Sequence, residues 1–208
     1  MDSPFRMLSP LVLASASPRR RDFLKSLGLE FTIATAESPE PRPLPGEDPL
    51  AYTERTAEAK ALAVRDAMKS DASMSAILSA DTAVILPGAD GCRILGKPVD
   101  SDDAFAMLKS LSGKTHRVVT ACCLVHKGRT VRFSASADVT FATWPDGILR
   151  AYADSGDPLD KAGAYGIQGG GAFLVSSVSG SWSAIVGLPV DEVAAVLIRE
   201  GVIEHVHG

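Results

Sequence analysis

The sequence predicts an α/β fold in which antiparallel hairpins interrupt the alternation of strand and helix. Three observations carry this. At Leu11–Gly28 a short apolar run leads into a helix marked at both ends. At Ala76–Leu86 a long run, AILSADTAVIL, is apolar at almost every position, as a strand buried on both faces would be. Between His116 and Thr143, two runs rich in β-branched residues flank the pair Lys127-Gly128.

Taken in order, Leu11–Ala14 reads as a strand, Ser17 as an N-cap, Pro18 as the first helical residue and Gly28 as the stop. Phe31–Thr35 reads as a second strand. Pro39, Pro41, Pro43, Pro45 and Pro49 then punctuate a loop, which also carries Glu37 and Glu40. Asp48 and Pro49 open an alanine-rich helix to about Met68, with Glu58 and Lys60 inside it. The strand Ala76–Leu86 turns at Pro87–Gly91 and returns as Cys92–Leu95. Ser101 is the expected cap of a helix whose first turn holds Asp102 and Asp103, placed favourably at the positive end of the dipole. His116–Val125 and Thr130–Thr143 are predicted to form a hairpin, Pro145–Ala153 a short helix, Ala172–Val178 and Trp182–Val186 a second hairpin, and Val190–Glu200 a closing helix. No repeat, low-complexity linker or compositional boundary divides residues 1–208, so one domain is expected, with room for two lobes.

Composition narrows the class. With 208 residues, 46% hydrophobic and 22% charged, the chain can bury one substantial core. A formal charge of −4 lacks the basic face that a general nucleic-acid binder needs, so an anionic ligand must be met locally. Cys92, Cys122 and Cys123 show neither a disulfide framework nor metal-ligand spacing, which fits a reducing, cytoplasmic setting. The apolar stretch near the N-terminus is short and broken by Pro10, so neither secretion nor membrane insertion is expected.

Chemistry concentrates at a few places. In SASPRR, residues 15–20, a helix start presents backbone N–H groups beside two guanidiniums, a pattern that suits an anion; a solvated helix start with exposed arginines is the other reading. Asp81 lies within an apolar run, where an unpartnered carboxylate is costly. It is either a functional acid or a strand-end aspartate satisfied by neighbouring N–H groups. Lys97, in Gly96-Lys97-Pro98, would be aimed towards Asp81 by a proline-fixed turn, or else is an ordinary surface lysine. The segment Asp157–Gly171, DPLDKAGAYGIQGGG, holds five glycines with Lys161, Tyr165 and Gln168 among them. It reads as a flexible surface loop or as backbone brought close to a ligand. His116, His126, His205 and His207 lack metal-ligand spacing and read as structural or exposed, and Cys122 and Cys123 as core. Cations, one isolated carboxylate and acidic loop residues together point to phosphoryl chemistry with water as the nucleophile.

In order and nearly end to end, ASASPRR (14–20), SADT (79–82), LGKP (95–98), LSGKTHRVVTA (111–121), DKAGAYGIQG (160–169) and VGLPV (186–190) resemble the Maf family of nucleoside triphosphate pyrophosphatases. The resemblance implies the inosine-triphosphate-pyrophosphatase-like (Maf/Ham1) fold, with two lobes about an elongated mixed sheet and a central nucleotide cleft. It also implies hydrolysis of a nucleoside triphosphate to the monophosphate and pyrophosphate, with Mg²⁺ or Mn²⁺, usually as a cytoplasmic homodimer. Position by position, it makes Asp81 the proton acceptor and Ser15, Arg20, Lys60 and Lys97 the phosphate-binding residues, with Glu40 a candidate metal contact. Two departures stand out: Ser79 where glycine is usual, and Pro39 where many members have a second acid.

Within that resemblance Arg19, Thr82 and Gln168 discriminate substrates. A branch similar to 7-methylguanosine triphosphate pyrophosphatases has an aromatic residue, glutamine and glutamate there, suited to a cationic guanine. A glutamine amide instead offers a donor and an acceptor to the O4 and N3–H edge of thymine or uracil. The sequence therefore resembles the dTTP/UTP branch. The alternatives are a 7-methyl-GTP pyrophosphatase and a nucleotide-binding regulator of septum formation with little turnover.

Overall fold

The computed structural model describes residues 3–36, 41–68, 75–88 and 91–206. Its strands, in chain order, are β1 (Phe5–Met7), β2 (Leu11–Leu13), β3 (Thr32–Ile33), β4 (Ala76–Gly88), β5 (Gly91–Leu95), β6 (Thr115–His126), β7 (Arg129–Phe141), β8 (Val175–Gly180) and β9 (Ile203–His205). Its helices are α1 (Pro18–Ser26), α2 (Pro49–Met68), α3 (Ser101–Leu111), α4 (Asp146–Asp154), α5 (Trp182–Val186) and α6 (Val190–Arg199). The chain divides into two compact units. The first comprises Met1–Asp81, Thr120–Ala135 and Gly187–Gly208; the second comprises Thr82–Val119 and Ser136–Val186. β4, β6 and β7 each contribute residues to both, which is why no linker-like composition marks the boundary.

In the first unit the strand order is β3-β2-β4-β6-β7. β2 pairs in parallel with β3 on one side and with β4 on the other, in the register Leu11–Ala76, Val12–Ile77 and Leu13–Leu78. Alternate residues of these strands enter different cores, so a continuous apolar run is what the sheet requires. Leu11, Leu13, Leu78, Ala80, Cys122 and Leu124 pack with Leu24 of α1 and Val193, Val196 and Leu197 of α6. Val12, Ala14, Ile77, Ala121 and Cys123 pack on the opposite face with Ala57, Ala61 and Val64 of α2. α2 starts as predicted: the Asp48 carboxylate accepts from the backbone N–H groups of Leu50 and Ala51 at 3.0 and 3.1 Å, ahead of Pro49 as first residue.

In the second unit β4 lies between β5 and β6, and β7 and β8 follow. One face buries Val84, Leu86, Val118, Val139 and Phe141 beneath Ala104, Leu108 and Leu111 of α3 and Leu149, Tyr152 and Ala153 of α4. The β6–β7 hairpin turns at Lys127 and Gly128, whose φ values are 49° and 74°. Two successive positive values match the twist of a tight hairpin. The predicted turn is therefore in place, at the cost of holding a lysine in the left-handed region.

Several expectations are corrected. Trp182–Val186 is helix, not a strand, and β8 pairs antiparallel with β7 in place of a local hairpin. Ser181 accounts for this, since its hydroxyl accepts from the Ala184 N–H at 3.3 Å and starts the turn. The strand predicted from Ala172 begins only at Val175. The cap of α3 is Asp100, whose carboxylate accepts from the Asp103 N–H at 2.8 Å, and not Ser101. Ser17 stands at the N-cap position with extended dihedrals but makes no side-chain cap bond. β1 and β9, which no local pattern marked, pair antiparallel through Phe5–His205, Arg6–Glu204 and Met7–Ile203.

Candidate active site

In the first unit β2 lies at a reversal of strand order. The connection through α1 places β3 on one side of β2, and the connection through α2 places β4 on the other. α1 and α2 pack on opposite faces of the strands. In open α/β sheets such a reversal leaves a crevice beyond the carboxyl end of the central strand, where ligands bind. Ser15 and α1 follow that end directly.

The Ser15 hydroxyl is buried and accepts two bonds, from the Ser17 N–H at 3.2 Å and from Arg20 Nη1 at 3.1 Å. Its own O–H remains to be donated to an incoming acceptor such as a phosphate oxygen. Arg20 is braced a second time by donating from Nε to the Gly187 carbonyl at 2.8 Å. A guanidinium fixed on two sides forms a preorganised anion contact with little rotamer entropy left to lose. Arg19, next to it on α1, is half-buried.

Asp81 lies on β4 three residues beyond the last β2–β4 pair, Leu13–Leu78. Its side chain is 10% exposed and accepts from Lys60 Nζ of α2 at 2.6 Å. The sequence argument that a carboxylate in this run needs a partner is thereby met by a specific ammonium. Two residues back on the same strand face, the buried Ser79 hydroxyl donates to the Ala57 carbonyl of α2 at 2.5 Å. Sequence reasoning registered Ser79 only as a departure from a motif. The signal that it mattered was a hydroxyl in an otherwise apolar strand, two positions from the acid.

Thr82, Lys97 and Gln168 belong to the second unit. Strand alternation puts the Thr82 side chain on the face opposite to Asp81. Lys97 is exposed in the turn after β5, and the adjacent Gly96 carbonyl accepts from the Gly163 N–H at 2.9 Å. The turn carrying Lys97 and the glycine segment are thus bonded backbone to backbone.

That segment is neither ordinary loop nor open cradle. It folds as three short 3₁₀ turns over Asp157–Asp160, Ala162–Ala164 and Gly169–Leu174, with Gln168 exposed immediately before the third. Lys161 is a tie: its ammonium donates to the Asp157 carbonyl oxygen, to the Asp160 carboxylate at 2.7 Å and to the Asp157 carboxylate at 3.2 Å. Tyr165 is buried, with its hydroxyl 2.8 Å from His116 Nε2 and its ring edge-on to Phe141. Gly163, at φ +70°, sits where a Cβ would come within 2.9 Å of both Val84 methyl groups. A Cβ at Gly171 would meet the Tyr152 hydroxyl at 2.5 Å. These two glycines serve close approach within the protein, and Gln168 is mounted on a packed frame.

Burial pushes the His116 imidazole down to about 4 and the Cys122 and Cys123 thiols up to about 12. His126 is also lowered by burial. Cys122 and Cys123 are core, as the sequence indicated, and of the two readings left open for the histidines, His116 and His126 take the buried one. Among the described residues no group of three or more His, Cys, Asp or Glu side chains could hold a metal ion, and Glu40 lies outside the described residues. Asp81 is the carboxylate identified at the crevice. One carboxylate plus substrate phosphates is a donor set that Mg²⁺ accepts, so these residues fit a cation that arrives with a triphosphate. Among the described residues no helix is long and apolar enough to cross a membrane.

Residues 10–200 match the family model described as Maf-like protein. The chain is 46% identical over 201 residues to a dTTP/UTP pyrophosphatase from Nitratidesulfovibrio vulgaris, covering 96% of this chain and 92% of the relative. It is 46% identical over 191 residues to a protein of the same name from Myxococcus xanthus, covering 92% of each. Among solved structures, a HAM1 protein from Coxiella burnetii aligns with a TM-score of 0.50 at 16% identity, covering 92% of this chain and all (100%) of that one. That likeness concerns the fold, and it agrees with the mixed α/β sheet seen here.

Proposed function

The chain belongs to the Maf-like protein family, and from that membership we propose that it hydrolyses dTTP and UTP to the nucleoside monophosphate and pyrophosphate. The observation that carries this reading is the Asp81–Lys60 pair on β4 and α2, together with the braced Arg20 and Ser15 that follow the carboxyl end of β2, in a chain 46% identical to proteins named for that activity. Water attacks the α-phosphorus and gives its proton to Asp81 as the new P–O bond forms. The bond from the α-phosphorus to the bridging oxygen breaks, and pyrophosphate leaves with the electron pair. Ser15, Arg20, Lys60 and Lys97 bind the phosphates and offset the charge that grows on the leaving group.

A carboxylate is by itself a weak base towards water. A divalent cation, Mg²⁺ or Mn²⁺, would supply the missing activation by acidifying the attacking water and neutralising phosphate charge. Asp81 and the triphosphate oxygens would hold it, with Glu40 as a further donor. Gln168 reads the O4 and N3–H edge of the base through its amide, while Arg19 and Thr82 shape the rest of the choice. With Arg19 where an aromatic face would be needed, a cationic methylated guanine finds no stacking partner there. The cellular form proposed is a cytoplasmic homodimer.

Pyrophosphate release measured across dTTP, UTP, CTP, GTP and 7-methyl-GTP, with Mg²⁺ or Mn²⁺, tests the proposal. Turnover should be greatest on dTTP and UTP. A preference for 7-methyl-GTP would overturn the substrate assignment, and inactivity on every nucleotide would overturn the enzyme in favour of a nucleotide-binding regulator.

A further inference from the structure

We propose that Ser79 is a positioning residue that sets the register of α2 against β4 and so holds Lys60 against Asp81; this rests on the reading of that pair as catalytic machinery. Ser79 and Asp81, two apart on a strand, share one face, and Ala57 and Lys60, three apart on a helix, share another. The Ser79 bond to the Ala57 carbonyl at 2.5 Å and the Asp81 bond to Lys60 at 2.6 Å are therefore successive rungs between the same strand and the same helix.

What surrounds the rungs is apolar and small. Ala57 and Ala61 of α2 pack over Ile77, Ala121 and Cys123 with no exposed surface of their own. Such packing resists separation of helix from sheet but is non-directional, so it fixes sliding along the helix axis poorly. A hydrogen bond to one carbonyl does fix it. The Ser79 hydroxyl has a single proton, and of the two carbonyls in reach, Ala57 at 2.5 Å and Cys123 at 3.4 Å, the nearer takes it. Glycine at this position would leave α2 without that register mark. Lys60 reaches Asp81 on a flexible stem, so a shift of a few tenths of an ångström in α2 is felt as a changed population of the paired geometry rather than as lost folding.

The test is a double-mutant cycle with Ser79→Ala and Lys60→Met, read by single-turnover pyrophosphate release from dTTP at enzyme excess. Circular dichroism establishes a temperature at which every variant is folded. With Lys60 present, Ser79→Ala should lower the maximal rate about tenfold while the enzyme concentration giving half that rate changes less than about twofold, and in Lys60→Met the same change should cost less than about twofold. Ser79→Thr, which keeps the hydroxyl, should restore most of the rate. The melting temperature should fall equally in both backgrounds, because the bond is lost in both. Equal rate losses with and without Lys60, or no loss at all, would overturn the proposal alone. Full turnover in Lys60→Met by itself would overturn the reading of the pair and this proposal with it.

Discussion

Acid should destabilise this protein through His116 more than through any other histidine. The ring is 1% exposed, lies edge-on to Phe141 and Tyr165, and has its Nε2 2.8 Å from the Tyr165 hydroxyl, while its buried Nδ1 has no partner among the described residues. Burial lowers its pKa from 6.5 to about 4. The folded state therefore keeps the ring neutral where the unfolded chain takes up a proton. The stability this neutrality contributes is fully present above pH 6.5 and is lost as pH falls through 6.5 towards 4. At about 1.4 kcal/mol per pH unit over that window, His116 alone removes about 3 kcal/mol. The perturbation is His116→Gln, which keeps a polar group of similar reach for Tyr165 but cannot titrate. Urea unfolding of both proteins at intervals from pH 7.5 to 4 supplies the assay. His126 and the lowered carboxylates Glu47, Asp138, Asp154 and Asp157 are common to both proteins, so the difference in pH slope isolates His116. Wild type should lose about 3 kcal/mol more than the variant between the two ends. Parallel curves would refute the reasoning, whatever the absolute stability of the variant.

Asp81→Asn removes the proton acceptor and the charge facing Lys60, and should cut turnover by roughly 100-fold or more while nucleotide binding by calorimetry stays measurable; near-normal turnover would exclude both a base and a metal-ligand role. Gln168→Glu should lower kcat/KM for dTTP and UTP by roughly 100-fold and for GTP by much less, because the carboxylate offers no donor to O4; equal losses would mean that Gln168 does not read the base. Lys127→Gly relieves a lysine held at φ 49° and should raise stability by about 0.5–1 kcal/mol in thermal unfolding, with activity unchanged; a destabilised variant would mean that the lysine side chain contributes more than its strain costs.

The parts of the fold legible in sequence were those with local causes. The strand–loop–helix at the start of the first unit, the Asp48-Pro49 opening of α2 and the Lys127-Gly128 hairpin each have their signal within a few residues. Trp182–Val186 reads as a strand in sequence because five residues are too few to separate a helix from a strand by periodicity, and the deciding contact is the Ser181 cap. β1 and β9 pair across some two hundred residues and have no local signature. At the site, Asp81 was legible because buried charge is costly anywhere, and Lys60 then appears as its partner. Lys161 shows the opposite case. Nothing in the sequence around it separates a structural from a ligand-facing lysine, and only the folded segment reveals that Asp157 and Asp160 occupy it.

The pairing of β1 with β9 has a consequence for how the protein is made. Residues of the second unit all leave the ribosome before Gly187, whereas the first unit waits for α6 and β9 to close over Leu11, Leu13 and Leu24. Vectorial synthesis thus completes the inserted unit first and the unit bearing Asp81 last. A nascent chain arrested before α6 would display an uncovered leucine-rich face, a ready target for chaperones and proteases. A nonsense mutation between Gly187 and Val193 would act through that exposed face, although Ser15, Arg20, Lys60, Asp81, Lys97 and Gln168 would all be present.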